Sequence, residues 1–178
     1  MNLANRITII RIFLIPFFVI LLIYHYGAAA FVLFCVMGIT DGVDGFIARA
    51  RGMQTELGTF LDPMADKLLL ITSFIALSII NELPVWLTVI VVSRDLIIVL
   101  GALLTHILTN NLIISPSILG KCTTFFQILT ISLVLLLRLM EKPPFSLGPL
   151  FLITAAFTAA SGIHYIYKGT KLVNGEPA

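Results

Sequence analysis

Residues 41–67 read DGVDGFIARARGMQTELGTFLDPMADK and set four aspartates inside the most apolar half of the chain. Asp41 and Asp44 are three apart, and Asp62 and Asp66 are four apart. Both intervals return to one face of a helix, so each pair projects two carboxylates from one side. A short polar turn joins the two helices. A charged side chain at the centre of a membrane helix costs about 2.5–3.5 kcal/mol on insertion scales. Four uncompensated carboxylates would be hard to tolerate. A hard divalent cation removes that cost, because oxygen-rich clusters suit Mg²⁺, Mn²⁺ or Ca²⁺.

The surrounding composition sets the solvent. The chain is 59% hydrophobic and 11% charged, whereas a soluble domain carries about 25% charged residues. An integral membrane protein is expected, a single domain over residues 1–178 with no soluble module. The net charge of +2 is too small to argue for a nucleic-acid partner. Cys35 and Cys122 each stand in apolar sequence without a second sulfur nearby, which suits packing better than a disulfide or zinc site. Arg6 and Arg11 flank the start of an apolar run that ends at His25-Tyr26 without a small-residue cleavage site. A retained first span is expected there.

About 20 apolar residues cross a bilayer. Six segments qualify, at residues 7–24, 28–50, 57–80, 84–108, 116–140 and 147–167. The expected fold is therefore all-α, an integral membrane bundle of six transmembrane helices. Short connections such as Asn81-Glu82-Leu83 make neighbours antiparallel. Arg6, Arg11, Arg49, Arg51, Lys67, Lys121, Lys168 and Lys171 fall on or near one side, and Arg138 and Lys142 on the other. The positive-inside rule then places both termini in the cytoplasm. The two aspartate pairs come to similar depth near the cytoplasmic surface of the inner membrane, facing each other across one helix seam. Gly38, Gly42, Gly45 and Ala48 recur at three- and four-residue steps on the second helix. Such steps admit either a close helix or a ligand, and beside the aspartates a ligand floor is the reading preferred. Pro63 removes one backbone donor between Asp62 and Asp66.

Written as spacing, the segment is Asp41-x2-Asp44-Gly45-x2-Ala48-Arg49-x8-Gly58-x3-Asp62-x3-Asp66. Every defined position matches the signature of the CDP-alcohol phosphatidyltransferases, and the chain resembles that family in length and span count as well. The resemblance extends to Asn5-x2-Thr8-x2-Arg11, Ser93-Arg94-Asp95 and Gly120-Lys121-x2-Thr124-x2-Gln127. It implies a six-helix membrane enzyme, commonly a homodimer, that moves a phosphatidyl group from CDP-diacylglycerol to an alcohol and releases CMP. It implies two Mg²⁺ or Mn²⁺ ions, one held by Asp41, Asp44 and Asp62, the other by Asp41, Asp62 and Asp66. Asp66 takes the place of the general base for the acceptor hydroxyl. Gly45, Ala48, Arg49, Gly58, Asn5 and Thr8 take the places of nucleotide contacts, with Arg49 at the pyrophosphate. General chemistry agrees. Cations neutralise and orient a pyrophosphate donor, and a hydroxyl nucleophile needs a carboxylate to take its proton.

The acceptor is read from Arg94 and Lys121. An arginine at mid-depth of a span is a functional candidate, and with Lys121 at the start of the fifth span it could hold an acceptor phosphate. Pairing of Arg94 with a carboxylate and snorkelling of Lys121 are the structural alternatives. The pattern is most similar to family members that use glycerol 3-phosphate. It departs from them at Asp95, where Glu is usual, at Ala102, where a second arginine is frequent, and at Thr123, where Lys is frequent. Ser-Arg-Asp and Lys-x2-Thr-x2-Gln resemble equally the members whose acceptor is phosphatidylglycerol.

Two other classes use intramembrane acids. A membrane prenyltransferase also pairs Asp-rich helices with magnesium, but lacks the spacing of Gly45, Ala48, Arg49 and Gly58. A divalent-cation channel needs carboxylates along a path through the bilayer, whereas the opposite half here offers Glu82 and Glu141 only. His25, His106 and His164 form no ligand spacing. Trp86, Tyr24, Tyr26, Tyr165 and Tyr167 suit interface belts.

Overall fold

The structure is a computed structural model that describes residues 3–50, 56–109, 118–140 and 146–173, with side chains described except at 3–7, 43–50, 56–63, 102–109 and 172–173. The described residues form six α-helices and no strand: α1 (Leu3–Ile23), α2 (Gly27–Ala50), α3 (Glu56–Ile79), α4 (Val85–Thr109), α5 (Ile118–Leu137) and α6 (Gly148–Val173). The helix order and most boundaries match the apolar segments of the sequence. The sixth helix runs further than its apolar stretch, through Lys168 and Lys171 to Val173. Lysines in a last turn complement the helix dipole, and Lys171 Nζ stands 5.6 Å from the centre of the Tyr167 ring one turn back.

Two of the helices, over Ile118–Leu137 and Gly148–Lys171, are long and apolar enough to cross a membrane, and Thr8–Ile23 and Gly27–Gly42 are shorter apolar stretches. The outward side chains agree with an apolar solvent. Phe13, Phe17, Val32, Ile39, Ile118, Phe125, Leu152 and Ile163 are all exposed. So large an apolar surface marks contact with lipid or protein. This is a membrane protein.

The chain divides into two compact units, Met1–Leu83 with Ile131–Pro144, and Pro84–Thr130 with Phe145–Ala178. In the first unit α1 packs against both α2 and α3. Ile15, Phe18 and Leu22 supply the buried face of α1, Ala30, Phe34 and Met37 that of α2, and Leu69, Leu70, Phe74 and Leu77 that of α3. Phe18 and Phe34 stand 5.9 Å apart between ring centres. α1 and α3 end alike. Tyr26 N bonds Leu21 O and His25 N bonds Leu22 O; Glu82 N bonds Leu77 O and Asn81 N bonds Ser78 O. Each is a Schellman motif, with His25 (φ 62°) and Asn81 (φ 61°) in the left-handed position usually given to glycine. Arg138, just past α5, gathers this end of the unit: its Nη2 is 2.7 Å from His25 Nδ1 and its Nε is 3.5 Å from Glu82 Oε1.

In the second unit α4 packs on α6, and α5 meets α6 along a buried polar seam. Thr130 and Thr154 share a hydrogen bond of 2.8 Å, and Thr123 Oγ1 lies 3.0 Å from Phe157 O. The Phe126 and Phe157 rings stack beside it. Gln127 sits one turn from both threonines on the same face of α5. It is fully buried, and neither end of its carboxamide has a hydrogen-bond partner among the described residues.

Burial ranks these side chains. Phe18→Ala empties a closed position (0% exposed) and is expected to cost about 3 kcal/mol. Phe13→Ala on the outer face (70% exposed) is expected to leave stability within about 0.5 kcal/mol. Unfolding of the two variants in one detergent measures the difference, and equal midpoints would contradict the packing described.

Candidate active site

Three helices meet at one charged point in the first unit. Arg11 stands on α1 one turn after Thr8, and both side chains are buried at 2% exposure. A guanidinium cannot lose its charge in a protein, so its burial requires anions. α2 brings Asp41 and α3 brings Asp66. Arg11 Nη2 is 2.5 Å from Asp41 Oδ1, and Arg11 Nη1 is 2.7 Å from Asp66 Oδ1. The fork is thus divided between two carboxylates rather than spent on one, and Arg11 Nε is buried without a hydrogen-bond partner among the described residues. The carboxylates sit at the edge: their side chains are 32% and 47% exposed, against 3% for Arg11.

One aspartate of each sequence pair, Asp41 and Asp66, therefore reaches Arg11, each from a different helix. Asp44 and Asp62 lie in α2 and α3, but their side chains fall outside the described residues, as do those of Gly45, Ala48, Arg49, Gly58, Asn5 and Pro63. Among the described residues no group of three or more Asp, Glu, His or Cys gathers at one point. The donor set that is placed, carboxylate oxygens from two helices with one oxygen of each turned to Arg11, suits a hard divalent ion. Gly38 and Gly42 on α2 are exposed, and a Cβ on either would meet no atom within 4 Å. Their smallness is not required by any neighbouring helix among the described residues.

Arg11 was not among the candidate residues read from the sequence, although a signal existed. It is a permanent cation inside an apolar run, which calls for a carboxylate at the same depth. Its partners lie 30 and 55 residues away, beyond the reach of local spacing.

Arg94, the expected acceptor ligand, is in the second unit and is 5% exposed. Its Nη1 donates to Asp95 Oδ1 at 2.8 Å and its Nη2 to Ser161 Oγ at 2.6 Å. The guanidinium lies 5.6 Å from the centre of the Tyr165 ring. A Cβ on Gly162 would come 3.4 Å from Arg94 Cγ, so α6 packs closely on the stem of the arginine at this glycine. The carboxylate pairing expected as the structural alternative is present, and it leaves further N–H donors on the guanidinium. Lys121 is exposed in the first turn of α5. Thr123 is fully buried, with Oγ1 2.8 Å from Leu119 O and 3.0 Å from Phe157 O.

Carboxylates gathered from two apolar helices around a buried arginine form a polar site, and comparison with known proteins gives the class. Residues 1–163 match the sequence model of the CDP-alcohol phosphatidyltransferases, so the chain belongs to that family of transferases. It is 34% identical to the probable phosphatidylglycerophosphate synthase of Mycobacterium tuberculosis, over 98% of this chain and 84% of that protein. It is 35% identical to the CDP-diacylglycerol–glycerol-3-phosphate 3-phosphatidyltransferase of Bacillus subtilis, over 94% of each. It is 33% identical to the probable cardiolipin synthase (CMP-forming) of Drosophila melanogaster, over 93% of this chain and 57% of that protein.

The buried Arg94–Asp95 pair carries a stability prediction. Asp95→Leu strands a buried guanidinium and is expected to cost about 3 kcal/mol or more, whereas Arg94→Met combined with Asp95→Leu is expected to recover most of it. Thermal unfolding in detergent compares them. A double variant no more stable than Asp95→Leu would contradict the charge origin of the loss.

Proposed function

We propose that the protein transfers the phosphatidyl group of CDP-diacylglycerol to glycerol 3-phosphate, releasing CMP, at the cytoplasmic face of the inner membrane. The observation that carries the reading is the meeting of Asp41 and Asp66, from the two halves of the family's acidic motif, at one partly exposed point. Family membership and the two relatives named for the glycerol 3-phosphate reaction support the choice of substrates. All six helices span the bilayer in this reading, both termini are cytoplasmic, and the active form is a homodimer.

Asp41, Asp44, Asp62 and Asp66 would hold two Mg²⁺ or Mn²⁺ ions. Bound there, such ions would neutralise the pyrophosphate and orient the phosphorus for in-line attack. Asp66 takes the proton of the acceptor hydroxyl as the oxygen attacks. Arg49 donates to the pyrophosphate and stabilises charge on the departing CMP. Asn5, Thr8, Gly45, Ala48 and Gly58 form the nucleotide contacts, and the open strip at Gly38 and Gly42 is consistent with a ligand approaching α2 from that side. Arg94 and Lys121 bind the acceptor phosphate.

Phosphatidylglycerol as acceptor is the second reading, and a particular side chain favours it. Thr123 stands where members using glycerol 3-phosphate often carry lysine, and here it is buried in the α5–α6 seam rather than presented to an anion. The relative named cardiolipin synthase points the same way.

CMP release by the purified protein from CDP-diacylglycerol, with glycerol 3-phosphate, phosphatidylglycerol, serine or inositol phosphate as acceptor, separates the readings. Glycerol 3-phosphate is expected to give the fastest release. Preference for phosphatidylglycerol selects the second reading, and no release with any acceptor overturns both. Asp66→Asn is expected to lower turnover at least 100-fold, an effect of about the size a general base supplies, while CMP binding persists. Wild-type turnover in that variant would remove Asp66 as the base.

A further inference from the structure

Arg11 closes the family-like stretch Asn5-x2-Thr8-x2-Arg11, and the proposed mechanism gives this buried cation no role. Two features set it apart from an ordinary internal ion pair. First, burial is one-sided. The guanidinium is enclosed at 3% exposure while its two carboxylate partners are 32% and 47% exposed. Arg94 and Asp95, adjacent on α4, are by contrast both enclosed, at 6% and 3%. Second, the fork is divided, Nη2 to Asp41 and Nη1 to Asp66. The two terminal nitrogens of a planar guanidinium have a fixed separation, so the division sets the spacing of carboxylates that belong to different helices.

Helix association does not require the charge. α1 already buries Ile15, Phe18 and Leu22 among the apolar side chains of α2 and α3, and apolar residues commonly replace buried ion pairs without loss of stability. What apolar residues cannot do is hold two like charges side by side.

We infer that Arg11 is a positioning residue for the aspartate cluster: its divided fork fixes the Asp41 and Asp66 carboxylates at the spacing in which they receive a divalent cation. The inference rests on the metal-dependent reading of the site given above. Groups that orient metal-binding side chains from outside the coordination sphere typically change affinity by about 10–100-fold when altered.

Arg11→Lys is the informative substitution, because it keeps the charge and discards the fork. Mn²⁺ binding to the full-length protein in detergent, with CMP present, is followed by loss of the free-ion electron paramagnetic resonance signal, and thermal unfolding is recorded alongside. Arg11→Lys is expected to unfold near the wild-type temperature and to bind Mn²⁺ at least about tenfold more weakly. The Mn²⁺ concentration that half-saturates CMP release should rise by the same factor. Arg11→Gln provides a second arm. Positioning predicts weaker Mn²⁺ binding there too, whereas a cation that merely repels the metal predicts tighter binding once it is removed. Unchanged or tighter binding in a folded variant overturns the inference and leaves the proposed reaction standing. Failure of the wild-type protein to bind Mn²⁺ overturns the metal-dependent reading and this inference with it.

Discussion

The arrangement of the first unit depends on one guanidinium that cannot shed its charge. Arg11 is enclosed by apolar helices, and a buried cation without anions would be too costly to keep. Asp41 from α2 and Asp66 from α3 answer it. The same contact solves the converse problem. Two carboxylates brought together repel each other, and the cation between them offsets that repulsion. α1 thereby joins the two helices that carry the acidic motif and fixes where the carboxylates meet.

The two units use arginine in contrasting ways. In the second unit Arg94 is closed in by Asp95, Ser161 and the face of Tyr165, with α6 packed closely on its stem at Gly162. In the first, Arg11 is closed but its anions are open to the outside. Polarity elsewhere is also segregated. His25, Arg138 and Glu82 cluster at the ends of α1 and α3. Arg11 lies 12 residues before the end of α1, roughly 18 Å away at the helical rise, with Ile15, Phe18 and Leu22 between. Among the described residues the charges of this unit gather at its two ends, and paired acids stand at the Arg11 end.

Much of this was legible in the chain. The apolar runs gave the helices because a segment in apolar surroundings must satisfy its backbone groups internally. Residues in the left-handed position end α1 and α3, and the short connection Asn81-Glu82-Leu83 already marked the second of these turns. The meeting of Asp41 and Asp66 was expected from their places late in the second apolar segment and early in the third. Arg11 was not assigned, since its partners are 30 and 55 residues distant and no local period connects them. The Arg94–Asp95 pair was visible only as an alternative, because adjacent helical residues do not ordinarily face one another. Ser161, at 67 residues' remove, could not be seen at all. The helical end of α6 was placed short because its last turns are polar, and polarity marks the edge of lipid rather than the edge of a helix.

The central claim is that the acidic motif closes on itself to receive a cation. Anomalous diffraction from crystals grown with Mn²⁺ and CMP tests it most directly. The account predicts a manganese peak within about 2.5 Å of carboxylate oxygens of both Asp41 and Asp66, with Arg11 still bridging the pair from the buried side. A peak bound to one helix alone, or carboxylates of Asp41 and Asp66 turned apart with no ion between them, would contradict it.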